Sequence, residues 1–259
     1  MKPRSMPLAQ TLQDLPPEWP HDPLPAIRQA LRTRGEKVVV LDDDPTGAQA
    51  VHDVVVVTEG SVDILAEELS NDPTTLFVLT NSRSLPAPEA RSLNAEIGRN
   101  LREATALTGR DVVVVSRSDS TLRGHFPQEM DSLEEVLGSK FDAWVLVPFF
   151  LEGGRYTLDD VHYVAEGDRL TPAGETEFAR DTAFSYRSSN LLEWVEEKTA
   201  GRVRAESVTS ISIEDIRRGG PERVAQRLAE VAKGGVCIVN AACMRDMEVF
   251  ALGAQGAEE

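Results

Sequence analysis

Three apolar segments of the sequence are each followed directly by residues that can bind or activate a polar ligand. The three pairs are Val38–Leu41 followed by DDDPTG, Leu76–Leu79 followed by TNSRS, and Val112–Val115 followed by SRSDSTLRGH. Arginine suits two-point binding of a carboxylate or phosphate. Aspartate suits hydrogen bonds to hydroxyl groups and proton acceptance. Because Arg83, Arg117 and Arg123 recur in an acidic chain, the pattern predicts a small, hydroxylated, anionic ligand. The arginines would bind its acid group, and Asp42 and Asp43 its hydroxyls.

Each of these residues also has a structural interpretation, because aspartate and serine at the end of a strand often cap the following helix. We favour that interpretation for Asp44, which stands directly before a proline. For Arg123 the alternative is a salt bridge that shapes its loop. An isolated histidine is usually a hydrogen-bonded structural residue, and this applies to His125 and His162. The prediction of a site therefore depends on the set of strand ends rather than on any one residue.

The apolar segments also predict the strands that must position these residues. They are short, continuous and rich in β-branched residues, which is typical of strands buried on both faces in a parallel sheet. The segments are Val38–Leu41, Val54–Thr58, Leu76–Leu79, Val112–Val115, Trp144–Val147 and Val236–Val239, with Val208–Ile213 as a weaker seventh. Helical periodicity recurs at residues 64–69, 93–104, 191–195 and 224–231. This alternation predicts an α/β fold: one large domain with a mostly parallel sheet and helices on both faces, in a Rossmann-like three-layer arrangement. In such a sheet, ligands bind beyond the carboxyl ends of the strands.

Two stretches of the chain show neither the apolar segments typical of strands nor helical periodicity. Six prolines stand in the first 25 residues, which predicts an extended, partly disordered lead-in. The stretch from about Gly153 to Arg180 is rich in glycine, aspartate and threonine. It predicts a long ordered loop or insertion, and a loop of this length in a compact domain is usually functional.

Composition excludes several classes of function. The 259 residues carry 27 Lys+Arg against 43 Asp+Glu, a net charge of −16, which disfavours binding to nucleic acid or to an anionic membrane surface. No apolar run approaches the roughly 18 residues that span a bilayer, and the N-terminal residues lack the apolar core of a secretion signal. Two cysteines are too few for a disulfide framework or a cysteine-based zinc site. We therefore expect a soluble, cytoplasmic protein without a resident metal.

Motif searches leave one rival catalytic hypothesis. The chain contains neither the phosphate-binding loop G-x-x-x-x-G-K-[ST] nor the dinucleotide fingerprint G-x-G-x-x-G. Asp42-x-Asp44-x-Thr46, with FVLTN (77–81) further on, resembles the first two motifs of the haloacid dehalogenase-like phosphatases. That resemblance implies a nucleophilic Asp42, an acid at Asp44 and a Mg²⁺ that holds the phosphate. The later motifs of that family have no convincing counterpart in this sequence.

A longer resemblance covers the chain from about Lys37 onwards. The segments, in order, are VVVLDDDPTGAQAVHDVVVVTEG, LTNSRSLP, SRSDSTLRGHFPQEM, VPFFLEGGRYTLDDVHYV and TPAGETEFARDTAF. They resemble the successive motifs of the four-carbon acid sugar kinases, transferases of carbohydrate metabolism that phosphorylate threonate, erythronate and 3-oxo-tetronate type substrates. Members of that family join an N-terminal sugar-acid-binding domain to a C-terminal nucleotide-binding domain. The resemblance implies that ATP and Mg²⁺ bind mainly through that second domain, which we expect to be absent from this chain.

The resemblance also implies roles and boundaries. Asp42 and Asp43 match the acidic pair that binds hydroxyls and supplies the base. Further substrate contacts are implied at Thr46, Gly47, Arg83, Arg117, Ser118, Asp119, Ser120 and Arg123. The implied division is a lead-in over residues 1–25, a sugar-acid-binding domain over residues 26–242, and the start of the connection to the nucleotide-binding domain over residues 243–259. We expect this chain to bind a sugar acid without completing phosphoryl transfer, and we leave an oligomer open. A sugar-acid-binding module without catalysis remains a third hypothesis.

Overall fold

The structure is a computed structural model that describes residues 3–71, 74–137 and 141–257, without the side chains of residues 49 and 50. Its strands are β1 (Met6–Pro7), β2 (Lys37–Asp42), β3 (Val55–Val57), β4 (Thr75–Leu79), β5 (Val112–Arg117), β6 (Ala143–Leu146), β7 (Arg155–Leu158), β8 (Val161–Glu166), β9 (Arg169–Pro172), β10 (Thr209–Ile211) and β11 (Gly235–Val239). Its α-helices are α1 (Leu8–Gln13), α2 (Leu24–Arg34), α3 (Val62–Ser70), α4 (Ala87–Thr108), α5 (Gln128–Leu137), α6 (Leu191–Lys198), α7 (Ile213–Ala229) and α8 (Met244–Gly256).

The chain divides into two compact units. The central unit comprises Leu31–Asp119 and Gly124–Lys140, and the terminal unit comprises Met1–Ala30, Ser120–Arg123 and Phe141–Glu259. All seven apolar segments form strands, and the prediction of an α/β fold with parallel sheets flanked by helices is confirmed. The predicted single sheet needs correction, because the described strands form three sheets.

A four-stranded parallel sheet with the order β3-β4-β2-β5 forms the framework of the central unit. Alternate side chains of its strands, such as Val39 and Val78, pack against buried leucines of α3, α4 and α5. Burying one such side chain stabilises the fold by about 1.5–3 kcal/mol, so this face determines the register of the strands. Val113 and Val115 alternate with the packed residues of β5 and remain 39% and 40% exposed. The main core of this unit therefore lies on that face, and on the opposite face the central strands bury Val40 and Phe77 while β5 stays partly exposed.

The terminal unit contains a second parallel sheet and an antiparallel one. The parallel sheet has the order β10-β11-β6, and its core includes buried side chains from α7 and α8. Val249 of α8 is fully buried in that core, so α8 packs into the unit. The antiparallel sheet has the order β1-β9-β8-β7.

The prediction of a long loop from Gly153 to Arg180 is wrong, because β7, β8 and β9 form an antiparallel meander there. Two-residue turns join these strands, since Leu158 pairs with Val161 and Glu166 pairs with Arg169. Asp159 and Asp160 both adopt positive φ, at 48° and 65°, as the tight turns of hairpins require. The aspartate and glycine residues that suggested a loop thus form the tight turns between very short strands.

The lead-in is also more ordered than its prolines suggest. β1 pairs with β9 through Met6 and Leu170, and α1 follows it directly. Further along, Trp19 packs so closely on Gly220 that a Cβ there would lie 2.4 Å from its ring. Apolar side chains of the lead-in therefore complete the core of the terminal unit. Residues 1, 2, 258 and 259 of the predicted terminal segments lie outside the described residues.

Within the described ranges, no helix is both long enough and apolar enough to cross a membrane.

Candidate functional site

The predicted polar residues meet at the carboxyl end of the central sheet. Asp42 is the last residue of β2, and its Cα partners are Leu79 in β4 and Arg117 in β5. β2 lies between these two strands, so the segments that follow all three begin side by side. This is the edge at which ligands bind in open parallel sheets. Strand order therefore brings together residues that are about 75 positions apart in the sequence.

Asp42 is a buried carboxylate with an increased affinity for protons. Its side chain is 3% exposed, and its Oδ1 accepts hydrogen bonds from Arg117 Nη1 at 3.2 Å and from the backbone N of Asp44 at 3.3 Å. Burial raises the pKa of Asp42 above its ordinary value, and the Arg117 guanidinium opposes part of that rise. Gly47 lies so close that a Cβ there would be 2.0 Å from Oδ2. Such a carboxylate is suited to accept a proton from a hydroxyl group.

Asp43 is held by the protein itself. Its Oδ2 accepts hydrogen bonds from Arg83 Nε at 3.0 Å and from Ser118 Oγ at 2.6 Å, and its Oδ1 accepts from Arg83 Nη2 at 2.5 Å. Gly124 allows this arrangement, because a Cβ there would lie 2.2 Å from Ser118 Oγ. Paired this way, Asp43 ties together the segments that follow β2, β4 and β5. Its role in the structure is therefore positioning.

Asp44 has the structural role that we favoured from the sequence. Its Oδ1 accepts hydrogen bonds from the hydroxyl and the backbone N of Thr46, at 2.5 and 2.8 Å. These bonds, the hydroxyl first, lower the pKa of Asp44. The backbone N of Gly47 donates to the carbonyl of Asp44 at 2.9 Å. The amides of Thr46 and Gly47, which we expected to face a ligand, thus close the turn.

The two arginines differ in how far the protein occupies them. Arg83 contacts Asp43 through Nε and Nη2 and Asp44 through Nη1, and its side chain is 18% exposed. Arg117 reaches Asp42 through Nη1 and is 34% exposed. The guanidinium group of Arg83 is therefore already paired with Asp43 and Asp44. Arg117 is better placed to meet an anion from solvent.

A buried polar network behind Asp42 was not predicted. Glu129 of α5 is buried, and its Oε1 accepts hydrogen bonds from Ser82 Oγ at 2.5 Å and from Asn94 Nδ2 at 3.1 Å. Ser82 Oγ lies 3.0 Å from Thr80 Oγ1, which donates to the carbonyl of Asp42 at 3.0 Å. Burial raises the pKa of Glu129. Glu129 escaped prediction because we did not predict helix α5, which buries it.

Three other predicted residues are placed as follows. Asp119 is half-buried in the central unit, directly after Ser118. Ser120 and Arg123 belong to the terminal unit. There, the Ser120 carbonyl accepts a hydrogen bond from His162 Nε2 at 2.7 Å. The structure thus assigns Ser120 and Arg123 to a different unit from the acidic pair.

Both histidines have structural partners. His162 is fully buried, and its Nδ1 lies 3.0 Å from Thr157 Oγ1 in the terminal unit. His125, in the central unit, is buried with its Nε2 3.0 Å from the carbonyl oxygen of Leu85. These contacts match the structural interpretation given for isolated histidines.

The described residues show neither a cluster of metal ligands nor a known phosphate-loop motif. Over residues 3–71, 74–137 and 141–257, no three His, Cys, Asp or Glu side chains are grouped so that they could hold a metal ion. The sequence also lacks a glycine-rich phosphate loop.

Comparison with known proteins finds relatives in both sequence and fold. A protein of Heliobacterium modesticaldum named D-erythronate kinase is 27% identical over 226 residues, which cover 84% of this chain and 48% of that protein. The chain therefore spans about half the length of this curated relative.

Solved structures share the fold. A Bordetella bronchiseptica protein, described as a domain of unknown function (DUF1537) with bound citrate in a domain-swapped dimer, gives a TM-score of 0.60 at 23% identity. That match covers 86% of this chain and 57% of the other. A Haemophilus influenzae protein of the DUF1537 family gives a TM-score of 0.57 at 19% identity, covering 85% and 55% of the two chains.

A family model described as a sugar-binding N-terminal domain matches residues 38–259. This range is well over half of the chain and includes every residue of the site described above. The chain belongs to the family of sugar-binding N-terminal domains.

Proposed function

We propose that this chain is the substrate-binding domain of an ATP-dependent kinase that phosphorylates a hydroxyl group of a four-carbon acid sugar. The observation that carries the proposal is the family match over residues 38–259, joined to a relative named D-erythronate kinase. We assign the substrate to the class of threonate, erythronate and 3-oxo-tetronate. The reaction would belong to cytoplasmic carbohydrate metabolism.

The geometry supports a division of roles at the end of the central sheet. Asp42 accepts the proton of the attacking hydroxyl, because its raised pKa and close packing suit a base. Arg117 binds the substrate carboxylate with its exposed guanidinium edge. Asp43, Arg83 and Ser118 hold the three strand ends in register, and Arg83 adds charge beside the carboxylate. Phosphoryl transfer needs little more than this from the acceptor side.

The nucleotide would bind in a further domain. Because this chain corresponds to 48% of the D-erythronate kinase, we propose that ATP and Mg²⁺ bind mainly through the remainder of a longer protein. On this proposal the chain alone binds a sugar acid and does not catalyse its phosphorylation. An oligomer is compatible with the domain-swapped dimer described for the Bordetella bronchiseptica protein.

The phosphatase hypothesis fits the geometry less well. It requires Asp44 to carry a proton as general acid. The hydrogen bonds from Thr46 instead lower the pKa of Asp44, and Arg83 Nη1 lies 2.9 Å from its Oδ2. An acid held in this way stays ionised. A kinase substrate domain, in which Asp44 shapes a turn, agrees better with these contacts.

Ligand binding to the purified chain tests the proposal. Threonate or erythronate at 100 times its dissociation constant should stabilise the fold by about 2.7 kcal/mol, measured as a shift in thermal unfolding. Threitol and erythritol are the matched controls, because they keep the hydroxyls and lack the carboxylate. Equal shifts with acids and polyols, or none with either, would contradict the proposal. Release of phosphate from an aryl phosphate by this chain would favour the phosphatase instead.

A further inference from the structure

A chain of buried polar contacts joins the side chain of Glu129 to the backbone of Asp42 inside the central unit. Glu129 Oε1 lies 2.5 Å from Ser82 Oγ. Thr80 Oγ1 lies 3.0 Å from Ser82 Oγ and 3.0 Å from the carbonyl oxygen of Asp42. We propose that Glu129 is a positioning residue for Asp42, because its carboxyl group supplies the hydrogen that directs both hydroxyls toward the Asp42 carbonyl. This inference rests on the proposed function, in which Asp42 is the proton acceptor.

The number of available hydrogens determines the direction of this chain of contacts. Each of the three oxygen–oxygen contacts needs one hydrogen, and the hydroxyls of Ser82 and Thr80 supply only two. If Glu129 is ionised, it accepts the Ser82 hydrogen, and the single hydrogen of Thr80 can satisfy either Ser82 or the Asp42 carbonyl. If Glu129 is neutral, it donates to Ser82, Ser82 donates to Thr80, and Thr80 donates to the carbonyl. Only the neutral carboxyl group therefore satisfies all three contacts.

The groups that face Glu129 allow this neutral form. Burial raises the pKa of Glu129 above its ordinary value, and the negative charge of Asp43 adds to the rise, against the opposing influence of Ser82 and His125. From α4, Glu129 faces the uncharged amide of Asn94, whose Nδ2 lies 3.1 Å from Oε1. A protonated Oε1 keeps a lone pair for that contact. Geometry and burial thus favour the same state of the carboxyl group.

Thr80 holds the backbone of Asp42 with two donors. Its backbone N donates to the Asp42 carbonyl at 2.9 Å, and its hydroxyl donates to the same oxygen at 3.0 Å. The side chain of that same residue accepts a hydrogen bond from Arg117 at the site. Because a small displacement of a reacting group lowers its efficiency, supporting hydrogen bonds of this kind matter for the chemistry. Glu129 therefore acts on Asp42 through the two hydroxyls, without touching the substrate.

Ionisation of Glu129 should weaken the binding of a sugar acid. The Thr80 hydrogen is then shared between Ser82 and the Asp42 carbonyl, and a negative charge appears close to Asp43. Losing one hydrogen bond corresponds to about a threefold to tenfold loss of affinity. We therefore expect the affinity of the unaltered chain for threonate or erythronate to fall by this factor as pH rises through the folded pKa of Glu129.

Carbon-13 NMR of the purified chain tests the contacts without any ligand. As pH rises, the Glu129 carboxyl and the Asp42 carbonyl resonances should shift with a common midpoint, and Glu129→Gln should abolish that step at Asp42. Thr80→Val removes the hydroxyl and keeps the side-chain shape, so Glu129 should still titrate while the matching step at Asp42 disappears. Ser132→Ala is the matched control, because the buried Ser132 hydroxyl donates to the backbone carbonyl of Glu129. It should keep both steps.

Calorimetric titration with threonate or erythronate at several pH values tests the effect on the site. Glu129→Gln cannot ionise, so its affinity should not show the fall expected of the unaltered chain. Thr80→Val should bind more weakly at low pH and lose most of that fall. Ser132→Ala should reproduce the pH profile of the unaltered chain, even if it is less stable. A role of Glu129 in packing alone would leave the profile unchanged in every variant.

Two results would overturn the inference. One is a step at the Asp42 carbonyl that persists in Thr80→Val, which would show that the Glu129 charge acts through space. The other is an affinity that depends on pH in Glu129→Gln as it does in the unaltered chain. If the unaltered chain binds neither acid, the proposed function fails, and the NMR titration still decides whether Glu129 controls the hydroxyls that hold Asp42.

Discussion

The carboxyl ends of the two parallel sheets contain similar residue types and behave differently. At the end of β11, the buried amide of Asn240 donates to Asp160 Oδ1 at 2.9 Å and to the carbonyl of Ile211 at 3.0 Å. Its Oδ1 accepts from the backbone N of Asp160 at 2.8 Å, and Ser210 joins the same cluster. At the end of β2, the buried carboxylates of Asp42 and Asp43 instead pair with Arg117 and Arg83. The side chain of Arg117 is 34% exposed.

The difference shows what separates a polar strand end from a binding site. In the terminal unit the polar groups satisfy one another, and the amide is sealed from solvent. In the central unit, Asp42 remains a buried carboxylate with a raised pKa beside an arginine that solvent can reach. We propose, on this unbalanced burial and accessible charge, that the second is the site. Four predictions test this contrast.

The largest effect should follow from Asp42→Asn in the enzyme that includes the nucleotide-binding domain. Asparagine keeps the size of the side chain but cannot accept the hydroxyl proton. We expect kcat to fall by about 10²–10⁴-fold with an unchanged thermal unfolding temperature. Asp44→Asn, which alters the turn and its ion pair with Arg83 but leaves Asp42 in place, is the control and should retain most activity. Full activity in Asp42→Asn would remove this residue from the chemistry.

The next effect concerns the substrate carboxylate. Arg117→Ala should weaken binding of threonate-type acids by about tenfold to a hundredfold in calorimetry. Arg117→Lys keeps the positive charge but loses the two-point guanidinium contact, so its affinity should lie between those of the parent chain and Arg117→Ala. Arg91→Ala, which removes a surface pair with Glu135 in the same unit, should bind like the parent. Unchanged affinity in Arg117→Ala would place the carboxylate elsewhere.

The cluster around Asn240 at the end of β11 should respond in the opposite way, because its loss should change stability and leave ligand affinity unaltered. Asn240→Ala removes the hydrogen bonds of this amide to the half-buried Asp160 and to the buried carbonyl of Ile211, and we expect a loss of about 1–3 kcal/mol in the free energy of unfolding. Sugar-acid affinity, measured well below the unfolding temperature, should not change. If Asn240→Ala weakened ligand binding as much as Arg117→Ala does, the contrast between the two strand ends would fail.

The smallest effect concerns pH. The folded pKa of Glu129 is raised above its ordinary value of 4.5, so its stabilising contribution is complete below that value and is lost as pH rises through the folded pKa. Glu129→Gln cannot ionise and escapes this loss. Relative to the parent, the variant should therefore be more stable at pH 7 than at pH 4, measured by urea unfolding. A stability difference that is constant with pH would contradict the assignment.

Local sequence was sufficient for much of this molecule. Continuous β-branched segments predicted β2 to β6, β10 and β11, because such residues favour strands, although one side of β5 stays about 40% exposed. The apolar period of α4 identified that helix in the same way. The position of the acidic pair at a strand end follows directly from its place in the chain. Strand ends of a parallel sheet share one edge, so the approximate location of the site was predictable too.

Tertiary structure decided the rest, since it depends on contacts between residues far apart in the chain. The meander of β7 to β9 has strands too short to show a period, and pairing alone makes them strands. The pairing of Arg83 with Asp43 spans 40 positions, and the burial of Glu129 depends on where α5 packs. The sequence by itself determined which residues could do chemistry. Long-range packing decided which of these residues hold the strand ends in place. It also decided that Asp42 has a raised pKa, because desolvation and ion pairing depend on neighbours in space.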